Sequence, residues 1–159
     1  MLKILFQLTI YLSLIINISQ AQPRIKVVDG IISLDDFAPS EKKYAHLTDC
    51  LDRNLNVHPN DTTSLFYRAV LFLQFNNFVV NPDISTNQAT NKLLLAKRMA
   101  DRADSLKMQC FELKILRAQI CRELTNRYAP VGTWRFNDKQ MADRKRKFDY
   151  YRGLANTYY

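Results

Sequence analysis

Apolar residues recur at spacings of three and four along most of the chain after Pro39, a period that predicts amphipathic helices. Ser40 is a suitable N-cap for the first helix, and Asn60 or Asp61 can cap the second. The second helix is apolar around much of its circumference, so we expect it to be central. Five helices are predicted, with breaks at residues 58–61, 76–85, 105–109 and 129–132. Gly153 is a candidate stop for the last helix.

The segment before the helices has a different pattern. Ile25–Val28 and Ile31–Leu34 flank the turn dipeptide Asp29-Gly30, which predicts a short pair of extended strands. The rest of residues 22–39 is irregular in pattern. We therefore expect this segment to precede a single helical domain over residues 40–159.

Residues 1–21 have the three-part pattern of a secretory signal peptide. Lys3 supplies the positive start, an apolar run follows, and Ser19 and Ala21 are the small residues that a signal peptidase reads. The alternative is a membrane anchor, which needs about 20 apolar residues. Because this run is shorter and interrupted by polar residues, we favour cleavage after Ala21 and an exported chain.

The helical region contains an internal repeat. Phe66–Leu71 and Ile115–Ile120 share the order apolar, apolar, Arg, Ala, any residue, apolar, at a distance of 49 residues. The small residues Ala69 and Ala118 would allow a neighbouring helix to approach closely. We expect Arg68 and Arg117 to reach across a helix pair to carboxylates or to carbonyls at a helix C-terminus.

On these residues the chain resembles the tetratricopeptide repeat (TPR) family of helix-turn-helix solenoids. The likeness covers residues 44–124 and is most specific from Leu55 to Phe78. It implies an all-α fold of about two antiparallel helix hairpins, with the last helix as a C-terminal cap. The repeat distance exceeds the family period of about 34 residues. A closed helical bundle is the alternative architecture.

The net charge of +8 is concentrated in one half of the chain. Residues 22–96 hold seven basic and eight acidic residues, whereas residues 97–152 hold fifteen basic and seven acidic ones. The densest run is Arg144–Lys147. It indicates either a solvated basic surface or a patch that binds an acidic protein, an anionic lipid or an acidic polysaccharide.

The sequence offers few candidates for catalysis or metal binding. It lacks the common nucleophile, phosphate-loop and dinucleotide motifs, and its histidines and cysteines show no metal-ligand spacing. We therefore expect no enzymatic activity, no cofactor and no metal. Cys110 and Cys121 lie too far apart on one helix to be bridged, so any disulfide would involve Cys50. The plain interpretation is three buried thiols.

These features predict an exported, non-catalytic adaptor that binds a protein or peptide segment, with an acidic one favoured. The resemblance implies a groove on the first helix of each unit, and the matching residues are Thr63, Phe66, Val70, Leu73 and Gln74, then Glu112, Ile115, Gln119, Arg122 and Glu123. The second set is the better candidate for a groove, because the first set is more apolar. The whole chain is similar to small TPR proteins of the bacterial envelope, which implies a periplasmic or envelope location rather than free secretion.

The alternative function uses the last helix. In it, a basic module binds an anionic surface or polymer, lipid or polysaccharide, through Arg144, Lys145, Arg146 and Lys147. Nucleic acid would suit the charge and the neighbouring aromatic residues, but it is not expected as the partner of an exported chain.

Overall fold

The computed structural model describes residues 24–34, 39–76 and 87–159, and 73% of these residues are helical. The helices are α1 (Ala45–Val57), α2 (Thr62–Asn76), α3 (Asn87–Ser105), α4 (Phe111–Tyr128) and α5 (Asp138–Tyr158), and a 3₁₀ turn spans Thr133–Arg135. The strands β1 (Ile25–Val28) and β2 (Ile31–Leu34) precede them. The all-α class predicted from the sequence is confirmed. The predicted signal peptide and most of the predicted break at 76–85 lie outside the described residues.

The helices pack as antiparallel hairpins. The most extensive contacts join α2 to α3 and α4 to α5, and smaller ones join α1 to α2 and α3 to α4. Small residues make this possible, since Ala69, Ala96, Ala100 and Ala118 are all fully buried. The predicted central position of α2 is confirmed, because ten of its fifteen residues are buried.

The two strands form the predicted hairpin. They pair antiparallel, with Val27 opposite Ile32 and Val28 opposite Ile31. The turn residues Asp29 and Gly30 have φ of +50° and +71°, the backbone of a two-residue type I′ turn. In such a hairpin the pair next to the turn shares both hydrogen bonds, so the N–H and C=O of Ile32 face away from β1. The strand β2 packs on α2 and α4.

Helix boundaries follow local capping chemistry. Asp61 caps α2 by accepting a hydrogen bond from the Ser64 amide at 2.9 Å, as predicted. Ser40 instead accepts one from the Lys43 amide in a turn, and α1 begins only at Ala45. At the predicted bend, α3 ends and Lys107 adopts φ of +67°.

The prediction that Gly153 ends the last helix is wrong. Helix α5 continues through Gly153 to Tyr158, and a Cβ built at this glycine would have no atom of the described residues within 4 Å apart from its own turn of helix. Packing beyond the glycine explains the continuation. Ala155 is buried, and the Tyr158 hydroxyl accepts a hydrogen bond from Arg117 of α4 at 2.9 Å.

Candidate functional site: the groove between α2 and α4

The repeated arginines hold the helix pairs together. Arg68 on α2 donates two hydrogen bonds to the Asp52 carboxylate of α1, at 2.7 and 3.1 Å. Arg117 on α4 bonds Asp101 of α3 at 3.1 Å. In both cases the aspartate precedes the arginine by 16 residues, so the 49-residue repeat includes the acidic partner. The predicted structural role of both arginines is confirmed.

The face shared by α2 and α4 is covered by the chain's own hairpin. Gln119 accepts a hydrogen bond from the Ile32 amide at 2.8 Å, and Gln74 donates one to the Ile32 carbonyl at 2.8 Å. Ile115, a further residue predicted for the groove, is only 6% exposed, and Ile32 is fully buried. We call this face, defined by Gln74, Ile115 and Gln119, the groove. The groove binds the strand β2 through the main-chain amide and carbonyl of Ile32.

A cleft lies at the N-terminal ends of α2 and α4. This end cleft has a volume of about 530 Å³ and is lined by Arg24, Ile25, Thr63, Phe66, Tyr67, Met108, Cys110 and Glu112. Thr63 and Phe66 lie on the same side of α2 as Gln74, and Glu112 lies on the same side of α4 as Gln119. The structure therefore brings together predicted residues from both repeats.

The end cleft has an apolar floor and charged margins. Phe66 is buried, whereas Glu112 is exposed. Burial, and secondly the Glu112 carboxylate, raises the pKa of Tyr67, so its hydroxyl stays protonated at neutral pH. A second cleft of about 390 Å³ shares Met108 and Cys110 and continues along the start of α4.

The remaining predicted groove residues lie elsewhere. Val70 and Leu73 are fully buried core residues. Arg122 and Glu123 lie further along α4, with Arg122 Nε 3.8 Å from Glu123 Oε1, and neither lines the two clefts described above.

The four cations of the basic run are largely engaged within the molecule. Arg144 donates hydrogen bonds to the carbonyls of Arg127 and Ala129 at 2.8 and 3.2 Å, and its guanidinium lies over the Phe136 ring. The other three form ion pairs along α5, Lys145 with Asp149 and both Arg146 and Lys147 with Asp143.

The ion pairs along α5 also lower the pKa of the two aspartates that take part in them. Hydrogen bonds from Lys147 and Arg146 lower the pKa of Asp143, and one from Lys145 lowers the pKa of Asp149. Both aspartates are thus charged at neutral pH, so they reduce the positive potential that Arg144–Lys147 would present to a partner.

The thiols differ in environment. All three cysteines are free, but only Cys121 is fully buried, so the prediction of three buried thiols holds for one. Burial raises the pKa of Cys121 to about 11, which makes it a poor nucleophile. Cys50 Sγ lies 3.9 Å from His46 Nδ1 on the exposed side of α1.

Within residues 24–34, 39–76 and 87–159, no three His, Cys, Asp or Glu side chains are grouped as metal ligands. None of the helices in these ranges combines the length and apolar character needed to cross a bilayer.

A comparison with known proteins finds no matching family model, no similar curated protein and no similar solved structure. The TPR resemblance therefore stays a prediction, and the groove is the feature of the molecule that points to a function. The hairpin was predicted from the sequence, but its position in the groove was not. The signal available in the sequence was a glutamine on each of the two predicted groove faces, Gln74 on α2 and Gln119 on α4.

Proposed function

We propose that this chain is an exported, non-catalytic helical adaptor whose groove binds an extended segment of another protein. One observation carries the proposal: the groove already holds β2 through both main-chain groups of Ile32. Recognition of a main chain gives affinity without requiring a particular sequence, while side-chain positions give selectivity. A partner strand would make the same two hydrogen bonds.

The groove also suggests the chemistry of the partner segment. Ile32 and Leu34 are buried at alternate positions of β2, so a partner strand should carry apolar residues two apart. An acidic partner is favoured on charge alone, because residues 97–152 carry the excess of positive charge.

The hairpin is the natural competitor of such a partner. A tethered segment is present at an effective concentration of the order of millimolar, so the wild-type chain should bind a free strand only weakly. Replacing Ile32 by Ser removes the apolar anchor of β2 and should free the groove. The test uses a fluorescent synthetic peptide of residues 24–34 and the chain without residues 1–21.

We expect saturable binding of this peptide to Ile32→Ser and much weaker binding to the wild type, measured by fluorescence anisotropy. Adding Gln119→Ala should weaken binding about fivefold, because one main-chain hydrogen bond is lost. Gln88→Ala, at an exposed glutamine of α3, is the matched control and should have no effect. The proposal fails if Ile32→Ser stays folded by circular dichroism and yet binds no peptide.

A further inference from the structure

The loop between α4 and α5 presents two apolar side chains to solvent. Trp134 is 80% exposed and Val131 is 66% exposed. The two are three residues apart in a loop of nine, and the loop contains no acidic residue. A tryptophan with this exposure places an amphipathic ring, apolar with one N–H donor, directly in water.

Hydrogen bonds hold this loop in a defined conformation. Hydrogen bonds from the Arg135 amide to the Gly132 carbonyl at 3.0 Å and from Phe136 to Thr133 at 3.1 Å close the 3₁₀ turn. Arg144 fixes the base of the loop through the Ala129 carbonyl and the Phe136 ring. The exposed conformation of Trp134 is therefore built into the fold, and little order is lost when it meets a surface.

Two cations, Arg135 and Lys139, are close to this tip in the sequence. The Arg135 guanidinium lies 4.6 Å from the centre of the Trp134 ring, and Lys139 forms no ion pair with any described residue. Asp138 is the acidic residue nearest in sequence. Residues 129–149 hold six cations against three aspartates, a net charge of +3 after Asp143 and Asp149 have paired with the basic run. An apolar tip next to this net positive charge is complementary to a surface that is negatively charged outside and apolar beneath.

We propose that this loop docks the protein on an anionic lipid bilayer. Tryptophan rings favour the headgroup level of a membrane, where the ring is buried and its N–H stays hydrated. Each nearby cation adds attraction to an anionic surface that is screened by salt. The bilayer surface differs from the groove ligand, so the adaptor would hold its protein partner close to a membrane.

The test exploits a feature of the composition, since Trp134 is the single tryptophan of the chain. Its fluorescence is recorded while vesicles are added to the chain without residues 1–21. With vesicles of equal parts phosphatidylglycerol and phosphatidylcholine, we expect the emission to shift to shorter wavelength. With pure phosphatidylcholine, or with anionic vesicles in high salt, we expect little shift. An absent shift, or an equal shift with both lipids, overturns the proposal.

Substitutions test whether the loop between α4 and α5 makes the contact with the vesicle. In vesicle co-sedimentation, Trp134→Ala should weaken binding about tenfold, because burial of the ring is lost. Lys139→Gln should weaken it about fivefold. The matched controls Phe111→Ala and Lys114→Gln change an exposed ring and an exposed cation at the other end of α4, and they should bind as the wild type does. If Trp134→Ala stays folded by circular dichroism and sediments like the wild type, the loop does not dock the protein.

Discussion

Arg68 and Arg117 occupy equivalent positions in the two repeats, but their surroundings differ. Arg68 binds one carboxylate and lies over the Phe72 ring. Arg117 binds Asp101, lies 2.8 Å from the Asp104 carboxylate, and donates to the Tyr158 hydroxyl. Arg117 thus connects three helices, α3, α4 and α5, whereas Arg68 connects two.

We predict that Arg117→Met destabilises the fold more than Arg68→Met does. Loss of Arg117 removes the partner of the Asp104 carboxylate and of the Tyr158 hydroxyl, while Asp101 keeps its ion pair with Lys97. We expect a cost of about 2 kcal/mol, against about 1 kcal/mol for Arg68, which has a single carboxylate partner. Urea denaturation of both variants measures the difference. Lys114→Met, at an exposed residue of α4, is the control, and an equal loss for Arg117→Met and Lys114→Met would contradict the prediction.

A second prediction concerns the end of α3. The Met108 amide bonds the Ala103 carbonyl at 3.0 Å and the Lys107 amide bonds Asp104 at 2.9 Å, a termination in which glycine is the usual residue at position 107. Lys107→Gly relieves the strain of a side chain at φ of +67°, a gain partly offset by chain entropy. We expect the free energy of unfolding to rise by about 0.5 kcal/mol. Lys107→Ala keeps a Cβ and should show no such gain in thermal melts.

At the scale of elements, two glycines should respond in opposite ways to the same change. Gly153 lies inside α5 with free space around it, so Gly153→Ala should stabilise by about 0.5 to 1 kcal/mol. Gly30 has φ of +71° in the turn, a backbone conformation that strains any residue with a Cβ, so Gly30→Ala should destabilise by about 1 kcal/mol. Differential scanning calorimetry of the pair tests this, and a shift of the same sign for both would refute it.

Which elements form was predictable from the sequence, since helix and strand periods are local. The hairpin followed from Asp29-Gly30, and the cap of α2 from Asp61. The position of the hairpin was not predictable in this way, because the bond between Ile32 and Gln119 joins residues 87 apart. The wrong prediction at Gly153 has the same cause. A glycine locally favours the end of a helix, but the burial of Ala155 and the hydrogen bond between Tyr158 and Arg117 extend α5 beyond it.

The candidate site was predicted only in part, because some of its contacts join residues that are distant in the sequence. The TPR resemblance implied a groove with Gln119 and Ile115 on α4 and Phe66 on α2, and in the structure these two helix faces lie side by side under the hairpin. Charge counting along the chain could not reveal that Asp143 and Asp149 pair with the basic run. A sum of charges identifies the basic half of a molecule, but only the fold shows which cations remain available to a partner.

At the scale of the whole molecule, we expect the junction of α3, α4 and α5 to be sensitive to alkali. Burial raises the pKa of Cys121 on α4, and it likewise raises that of Tyr151 and Tyr158 on α5. In each case the folded protein favours the neutral form. The unfolded chain ionises at lower pH, so rising pH favours unfolding from the pH at which the exposed groups titrate.

We therefore predict that the free energy of unfolding is steady up to about pH 9 and falls from there to pH 11. For Cys121 the ordinary pKa of 9.0 and the folded value of about 11 set this window. Below the lower value the thiol is neutral in both states, and between the two values only the unfolded chain loses its proton. The full shift of the Cys121 pKa corresponds to about 2 to 3 kcal/mol of unfolding free energy.

Urea denaturation at intervals between pH 9 and pH 11 measures how steeply the free energy of unfolding falls. Cys121→Ala should make the fall shallower, with the tyrosines supplying the remainder, whereas Cys50→Ala at a partly exposed thiol should follow the wild type. An unchanged slope in Cys121→Ala would mean that the alkaline transition begins elsewhere in the fold.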